Sequence, residues 1–442
     1  MINYRCTVKV SISGVRGIFG QDLTLHDVLQ FSRGFSKLLE KECVLARDTR
    51  DSSKIIADTA TAALMEQGID VYNLGISPTP FAFRKARKHG AALIVTASHN
   101  PLEWNGLKFV LDGRGIFEEE LEKIKIPLNK VKPIGKEYDI DSNYPKELVN
   151  LIGKVNGRLK VAVDTAGGAA SGYAASILSE TRCDVISIND KHGISSRMPD
   201  PTTDELYDLH NVVVTNKCDV GFAFDLDGDR LVVMNKNGVK LQPDITLLLC
   251  MAKAIDMGIK DFVISMDTSK AIEDYAKSMN CKVRRAKVGE TNVVRAMLEN
   301  NVPAGGEGSS GGFMLKDFNM CRDGMLASVL ISTLLNSRTY DECLQLSSQY
   351  HLMRGKVEVD SSLHNEVIEN LRKVLEKESS SIDYTDGIRA IIDDSWIIIR
   401  GSNTEHSIRL SVESKNQDRS KSLYSKYEQK IREENAKRKR DY

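Results

Sequence analysis

Apolar residues along this chain fall into two alternating rhythms. Continuous runs such as Val44-Leu45-Ala46, Ala91-Ala92-Leu93-Ile94-Val95 and Val220-Gly221-Phe222-Ala223-Phe224 are of strand length, and between them apolar positions return at helical spacing. A continuous run marks a strand buried on both faces, whereas helical spacing marks a helix with one buried side. Behind Thr24, a residue suited to cap a helix, Leu25, Val28, Leu29, Phe35, Leu38 and Leu39 predict the first helix. There follow a strand at 44–46, a helix at 54–67, a strand at 71–74, a helix at 81–88 and a strand at 91–95. Such alternation predicts an α/β domain on a mainly parallel sheet.

The rhythm restarts twice. Lys160-Val161-Ala162-Val163-Asp164 runs into a loop of small residues at 166–170 and a helix ending near Leu178, and the cycle closes on the strand at 220–224. A third cycle begins at Phe262-Val263-Ile264-Ser265 and releases the glycine-rich loop at 305–312. After residue 352 the pattern changes to a strand at 355–360, a helix at 363–377 and strands at 388–392 and 396–399, which predicts a smaller α+β domain. The expected division is 1–152, 153–253, 254–351 and 352–442. Three successive α/β domains with mixed, mainly parallel sheets and a C-terminal α+β domain, each releasing a polar loop, predict a shared central cleft.

Composition narrows the functions open to such a chain. At 442 residues it is too long for one hydrophobic core, and 41% hydrophobic with 28% charged residues is the make-up of a soluble globular protein. Lys plus Arg equals Asp plus Glu, 61 against 61, which argues against a nucleic-acid surface but leaves room for a local basic cleft and a small anion. Met1 to Cys6 lack the apolar core of a signal peptide, and no run approaches the ~18 residues that span a bilayer, so a cytoplasmic protein without membrane contact, monomeric or homodimeric, is expected. Eight cysteines, never as Cys-x-x-Cys and never clustered with histidine, suit reduced thiols rather than zinc or disulfides. The charged tail at 418–442 reads as a solvated, fraying helix, with Lys437-Arg438-Lys439-Arg440 offering a second reading as a basic docking stretch.

The chemistry concentrates where apolar runs end. Ser98 lies in Thr96-Ala97-Ser98-His99-Asn100-Pro101, where Asn-Pro breaks a buried strand into a turn at the sheet's carboxyl edge. A serine there suits a phosphate carrier, a nucleophile or a helix cap. Asp225, Asp227 and Asp229, at alternate positions beyond another buried strand, put carboxylate oxygens around one small volume, as magnesium requires, though an acidic turn that caps the strand has the same letters. Arg230 beside them suits a phosphoryl oxygen. The run Phe224-Asp225-Leu226-Asp227-Gly228 also imitates the aspartate loop of haloacid-dehalogenase-type phosphatases, with Asp229 where threonine or valine is usual.

Arg400, Ser402, Asn403 and Thr404, with Arg409 beyond them, gather donors that suit a phosphate dianion. Glu307 and Ser309, set among glycines, pair a carboxylate and a hydroxyl for sugar hydroxyls. Arg16 between two glycines is placed to reach an anion, and Lys108 follows the serine loop closely enough to balance phosphate charge or move a proton.

Taken in order, these loops resemble the α-D-phosphohexomutase family over essentially the whole chain. Thr96-Ala97-Ser98-His99-Asn100-Pro101 is similar to its phosphoserine loop and residues 225–230 to its metal loop, while Gly306-Glu307-Gly308-Ser309 is similar to its sugar loop and residues 400–405 to the phosphate loop of its fourth domain. The resemblance implies a stably phosphorylated Ser98 and one Mg²⁺ per chain on Ser98, Asp225, Asp227 and Asp229. It also implies a hexose phosphate anchored on Arg400, Ser402, Asn403, Thr404 and Arg409 with Glu307 and Ser309 on its hydroxyls. A bisphosphorylated hexose as activator and intermediate is implied as well, and the fourth domain is expected to be hinged. The implied activity is interconversion of hexose 1-phosphate and hexose 6-phosphate, of phosphoglucomutase/phosphomannomutase type. A phosphoglucosamine mutase is the alternative, and a phosphatase or a silent sugar-phosphate sensor stands behind it. Ser310 and Gly311 stand where many relatives carry a histidine, so proton transfer falls to Lys108, Arg16 or His99.

Overall fold

The computed structural model describes residues 8–126, 133–155, 157–402 and 406–438. The first three sheets repeat one arrangement: a first strand lies between a second and a third that run parallel to it, and a fourth returns antiparallel along the third. In the first sheet Glu42–Arg47 lies between Asp70–Ile76 and Ala91–Val95, with Trp104–Leu111 returning. In the second, Lys160–Asp164 lies between Asp184–Ile188 and Val220–Phe224, with Leu231–Asn235 returning. In the third, Asp261–Ser265 lies between Lys282–Ala286 and Ala304–Glu307, with Gly312–Leu315 returning. Consequently the Ser98 loop, residues 225–230 and residues 308–311 occupy one topological position, the turn at the carboxyl end of the third strand. Open α/β sheets build their sites there.

The continuous apolar runs fold as expected because both faces of each central strand are covered. Leu93 and Val95 pack with Ile56, Ala60 and Leu64 of the helix Ser53–Glu66, while Ala92 and Ile94 pack with Ala82, Phe83 and Ala86 of Thr79–His89. Burial of each such leucine, isoleucine or valine contributes about 1.5–3 kcal/mol. Thr24 caps Leu25–Phe35 as its position implies, exchanging bonds with Asp27 in a capping box. Phe81 and Tyr144 stack at 4.3 Å and join the large core shared by the second and third sheets, so the first unit is fused to the others by apolar contact.

The fourth sheet is wholly antiparallel, in the order His351–Glu358, Ser407–Ser414, Ser395–Gly401, Ile388–Ile392, Ser381–Asp383. Two helices, His364–Glu378 and Gln417–Arg438, pack on it. The second of these corrects the sequence expectation of a solvated, fraying tail. Leu423, Tyr427 and Ile431 recur every four residues among the charges and are buried against the sheet. Lys439 and Arg440 lie outside the described residues.

The fourth domain meets the third through a small cluster of Met266, Val288, Trp396 and Ile398, and polar clamps tie it to Lys270 and to the helix Pro243–Asp256. Arg354 reaches both oxygens of Asp244 at 2.6 and 3.0 Å, and Glu413 accepts from the backbone of Lys270 at 2.8 Å. No helix among the described residues is long and apolar enough to cross a membrane.

Candidate active site

Two of the equivalent turns meet at Ser98 and Asp225, and the third sheet is tied to them through Arg322. The Ser98 side chain is fully buried, and its backbone holds a left-handed φ of +53°, a conformation that costs a non-glycine residue about 1–2 kcal/mol. The hydroxyl donates to Asp225 Oδ2 at 2.8 Å and lies 3.4 Å from His99 Nδ1. On the far side of that ring, Arg230 Nη2 donates to His99 Nε2 at 3.3 Å. A guanidinium can only donate, so the ring hydrogen sits on Nδ1, aimed at the serine oxygen. Burial, reinforced by Arg230, Arg16 and Arg322, lowers the His99 pKa well below its ordinary value and keeps the ring neutral.

Asp225, Asp227 and Asp229 are all buried, and one oxygen from each lies within 4.8 Å of the others. Oδ1 of Asp227 and Oδ1 of Asp229 have no hydrogen-bond partner despite their burial. Orphaned anionic oxygens around one point fit a hard divalent cation. Burial, then repulsion from Asp227 and Asp229, pushes Asp225 well above the usual carboxylate range. Burial opposes ionisation of Asp229 too, but Arg322, Lys108 and Arg230 outweigh it and hold that group below the range.

Lys108 belongs to the returning strand Trp104–Leu111 and reaches Asp227 Oδ2 at 3.2 Å and Asp229 Oδ2 at 3.0 Å. Burial disfavours its ammonium, yet the two aspartates prevail and raise its pKa. Arg16 turns to the serine loop itself, donating to Ala97 O at 3.3 Å and to Asn100 Oδ1 at 3.0 Å. Arg230 donates its backbone N–H to Asp225 Oδ1 at 3.1 Å, and its guanidinium meets Asp200 at 3.5 Å.

Glu307 faces this cluster from the third sheet. Its oxygens accept from Gly289 N at 2.7 Å and from Arg322 at 3.4 Å, and burial raises its pKa. Ser309 is half-buried in the single turn Gly308–Ser310. A glycine is needed at 308 because a Cβ there would lie 2.1 Å from Asp244 Oδ1.

The fourth domain supplies a separate group of cations. Arg400 and Arg409 are direct cross-strand partners, and Arg409 also pairs with Lys356, so the three side chains leave one face of the sheet in a row. Asp386 lies 3.9 Å from Arg400, and the backbone of Ser402 closes the loop on Ser407 O at 2.9 Å. Asn403 and Thr404 lie outside the described residues.

The comparisons with known proteins concern the family and the fold. Sequence profiles of phosphoglucomutase/phosphomannomutase alpha/beta/alpha domains I, II and III match residues 8–133, 142–238 and 242–351. A phosphoglucomutase/phosphomannomutase of Thermococcus kodakarensis is 33% identical over 92% of this chain and 95% of its own length. The chain belongs to the α-D-phosphohexomutase family. A phosphoglucosamine mutase of Methanococcus vannielii is 30% identical over 85% of this chain and 89% of its own. A phosphoglucomutase/phosphomannomutase family protein of Burkholderia thailandensis shares the fold, with a TM-score of 0.84 over 98% of both chains at 21% identity.

In this phosphohexomutase Thr79, Arg322 and Arg50, none of them a candidate on sequence, also contact these residues. Thr79 opens a helix and donates both its backbone N–H and its hydroxyl to Asp227, at 2.8 and 2.6 Å. Arg322 ties the second sheet's loop to the third's, donating to Asp229 at 2.9 Å as well as to Glu307. The turn Asn319-Met320-Cys321-Arg322-Asp323-Gly324 before an apolar helix carried a usable signal, since Asp323 caps that helix. Arg50 stands on the exit loop of the first sheet's first strand and contacts Ser98 O.

Proposed function

We propose that this phosphohexomutase interconverts hexose 1-phosphate and hexose 6-phosphate through phospho-Ser98 and a bisphosphorylated sugar. The observation that carries this reading is the buried Ser98 hydroxyl 2.8 Å from a member of the aspartate cluster, where the first and second sheets meet. In the first half-reaction a sugar hydroxyl oxygen forms a bond to phosphorus, the bond between phosphorus and Ser98 Oγ breaks, and the proton lost by the hydroxyl ends on Oγ. The sugar bisphosphate then turns end for end. In the second, Oγ forms a bond to the sugar's other phosphorus, that phosphorus leaves its sugar oxygen, and the proton passes from Oγ to that oxygen.

Each residue has a place in this scheme. Asp225, Asp227 and Asp229 would hold Mg²⁺ together with a phosphoserine oxygen, and the ion when bound neutralises charge on the phosphoryl group. Lys108, kept as an ammonium, and Arg230 add to that neutralisation. Of the three candidates for handling the proton, His99 is favoured because its Nδ1 lies 3.4 Å from Oγ, whereas Lys108 is held by two aspartates and Arg16 by the loop. Arg400, Ser402, Asn403, Thr404 and Arg409 anchor the phosphate that is not transferred, and Glu307 with Ser309 holds sugar hydroxyls. The units 1–152, 153–253, 254–351 and 352–442 thus divide carrier, metal, sugar and phosphate between them.

For the sugar, glucose and mannose phosphates are the first reading. Glu307 is already shared with the cationic Arg322, a setting better suited to a neutral hydroxyl than to an ammonium at carbon 2. The phosphoglucosamine mutase relative supports the second reading. A coupled assay with glucose, mannose and glucosamine phosphates decides between them. The expected result is a kcat/KM at least about tenfold higher for one of the neutral hexoses; the reverse ranking moves the assignment to the amino sugar.

A further inference from the structure

Arg50 makes an unusually complete set of contacts. Its side chain and that of Asp48 are both wholly buried and pair at 3.0 Å. A guanidinium has five N–H donors, and here all are matched. Nε donates to Asp48 Oδ2, Nη1 to Pro101 O at 2.5 Å and Trp104 O at 3.1 Å, and Nη2 to Ser98 O and Asn100 O, each at 2.7 Å. Four of the five acceptors are therefore carbonyls of the loop that carries Ser98.

The other end of the ion pair reaches the same residue. Asp48 Oδ2 accepts from Thr96 Oγ1 at 2.7 Å, and Thr96 Oγ1 accepts from the Ser98 backbone N–H at 2.8 Å. A closed ring results, running from Ser98 N through Thr96 and Asp48 to Arg50 and back to Ser98 O. It grips the serine by both its backbone N–H and its carbonyl, at the position where φ is left-handed. The second Asp48 oxygen is engaged by Ser53 Oγ and Arg50 N, so the pair is tied into its own loop as well.

We propose that the Asp48–Arg50 pair, acting through Thr96, is a positioning clamp that sets the direction of Ser98 Oγ for phosphoryl transfer. This rests on Ser98 being the phosphoryl carrier. The pair is neutral in sum, so it contributes geometry rather than attraction for the anionic substrate. Lysine cannot replace Arg50, since three donors on a point charge do not reach four carbonyls and a carboxylate. The clamp acts on turnover and leaves sugar binding to other residues.

The test uses the full chain with Thr96→Val, Thr96→Ser and Arg50→Lys, and the double variant of Thr96→Val with Arg50→Lys. Wild type is first incubated with glucose 1,6-bisphosphate and mapped for phosphate at Ser98; its absence overturns the carrier reading and the clamp with it. With phosphate present, Thr96→Val and Arg50→Lys are expected to lower kcat about 10–100-fold while KM stays within about twofold. Thr96→Ser, which keeps the hydroxyl, is expected to restore most of the turnover. More phosphate should pass from phospho-Ser98 to water in the two impaired variants. Because both open one ring, the double variant should fall little below the worse single one. Folded variants with wild-type kcat, a KM rise that matches the kcat loss, Thr96→Ser as impaired as Thr96→Val, or collapse of both impaired variants on thermal unfolding would each overturn the clamp while leaving phospho-Ser98 intact.

Discussion

Replacement of Ser98 by alanine is expected to lower mutase turnover by at least about 10⁴-fold, because Ser98 presents the hydroxyl bonded to Asp225, whereas the nearby hydroxyl of Thr79 is committed to Asp227. The fold should survive. Alanine deletes one oxygen and its bond to Asp225, and it strains the left-handed backbone no more than serine does, so the loss of stability should be about 1 kcal/mol. Binding of hexose phosphate should stay within a few-fold of wild type, since the phosphate and sugar contacts assigned to the third and fourth domains are untouched. Steady-state assay with added hexose bisphosphate, alongside calorimetric binding of hexose 1-phosphate, separates these quantities. Turnover within about tenfold of wild type would contradict the carrier role.

Substitution of Asp227 by asparagine should have the next largest effect, and it is read best without relying on activity. Asp227 carries one of the two orphaned buried oxygens and is also the residue that Thr79 and Lys108 hold in place. In wild type, Mg²⁺ should raise the thermal midpoint in a saturable manner, by an amount equal to about 2.7 kcal/mol of stability when the ion is at a hundredfold its dissociation constant. The same titration on Asp227→Asn should require far more Mg²⁺ for the same rise, and kcat should fall about 10²–10³-fold. Chelation of the wild type should abolish turnover, with Mg²⁺ restoring it. An Asp227→Asn protein whose melting responds to Mg²⁺ as wild type does would remove the aspartates from the metal site.

How far such a site can be read from sequence depends on whether each residue and its partner are close in the chain. Ser98, Asp225, Asp227, Asp229 and Glu307 were legible because each stands just beyond, or ends, a continuous run of small or apolar residues, and those runs are strands with both faces covered. The repeat of one topology in three sheets was only half visible. The returning strand Trp104–Leu111 contains Asn105, Gly106 and Lys108, polar letters that read as loop, and Lys108 is tolerated inside it only because Asp227 and Asp229 arrive from another sheet.

Arg50 was silent for the same reason, and Arg322 showed only through the helix cap beside it. Arg50 and its acceptor Ser98 are 48 residues apart, and Arg322 and Asp229 are 93 apart, so no local spacing announces either pairing. The tail helix misled in the opposite sense. Its charge concealed Leu423, Tyr427 and Ile431, whose spacing of four was sufficient to seal one face of the fourth sheet.

Between catalytic cycles the phosphoryl group is expected to rest on Ser98. Intact mass and peptide mapping after incubation with glucose 1,6-bisphosphate measure this directly. The prediction is one acid-stable phosphate per chain, on the peptide containing Ser98 and lost when hexose 1-phosphate is added in excess. An acid-labile phosphate on the peptide containing Asp225, or no phosphate on Ser98 in an enzyme that still turns over, would contradict it.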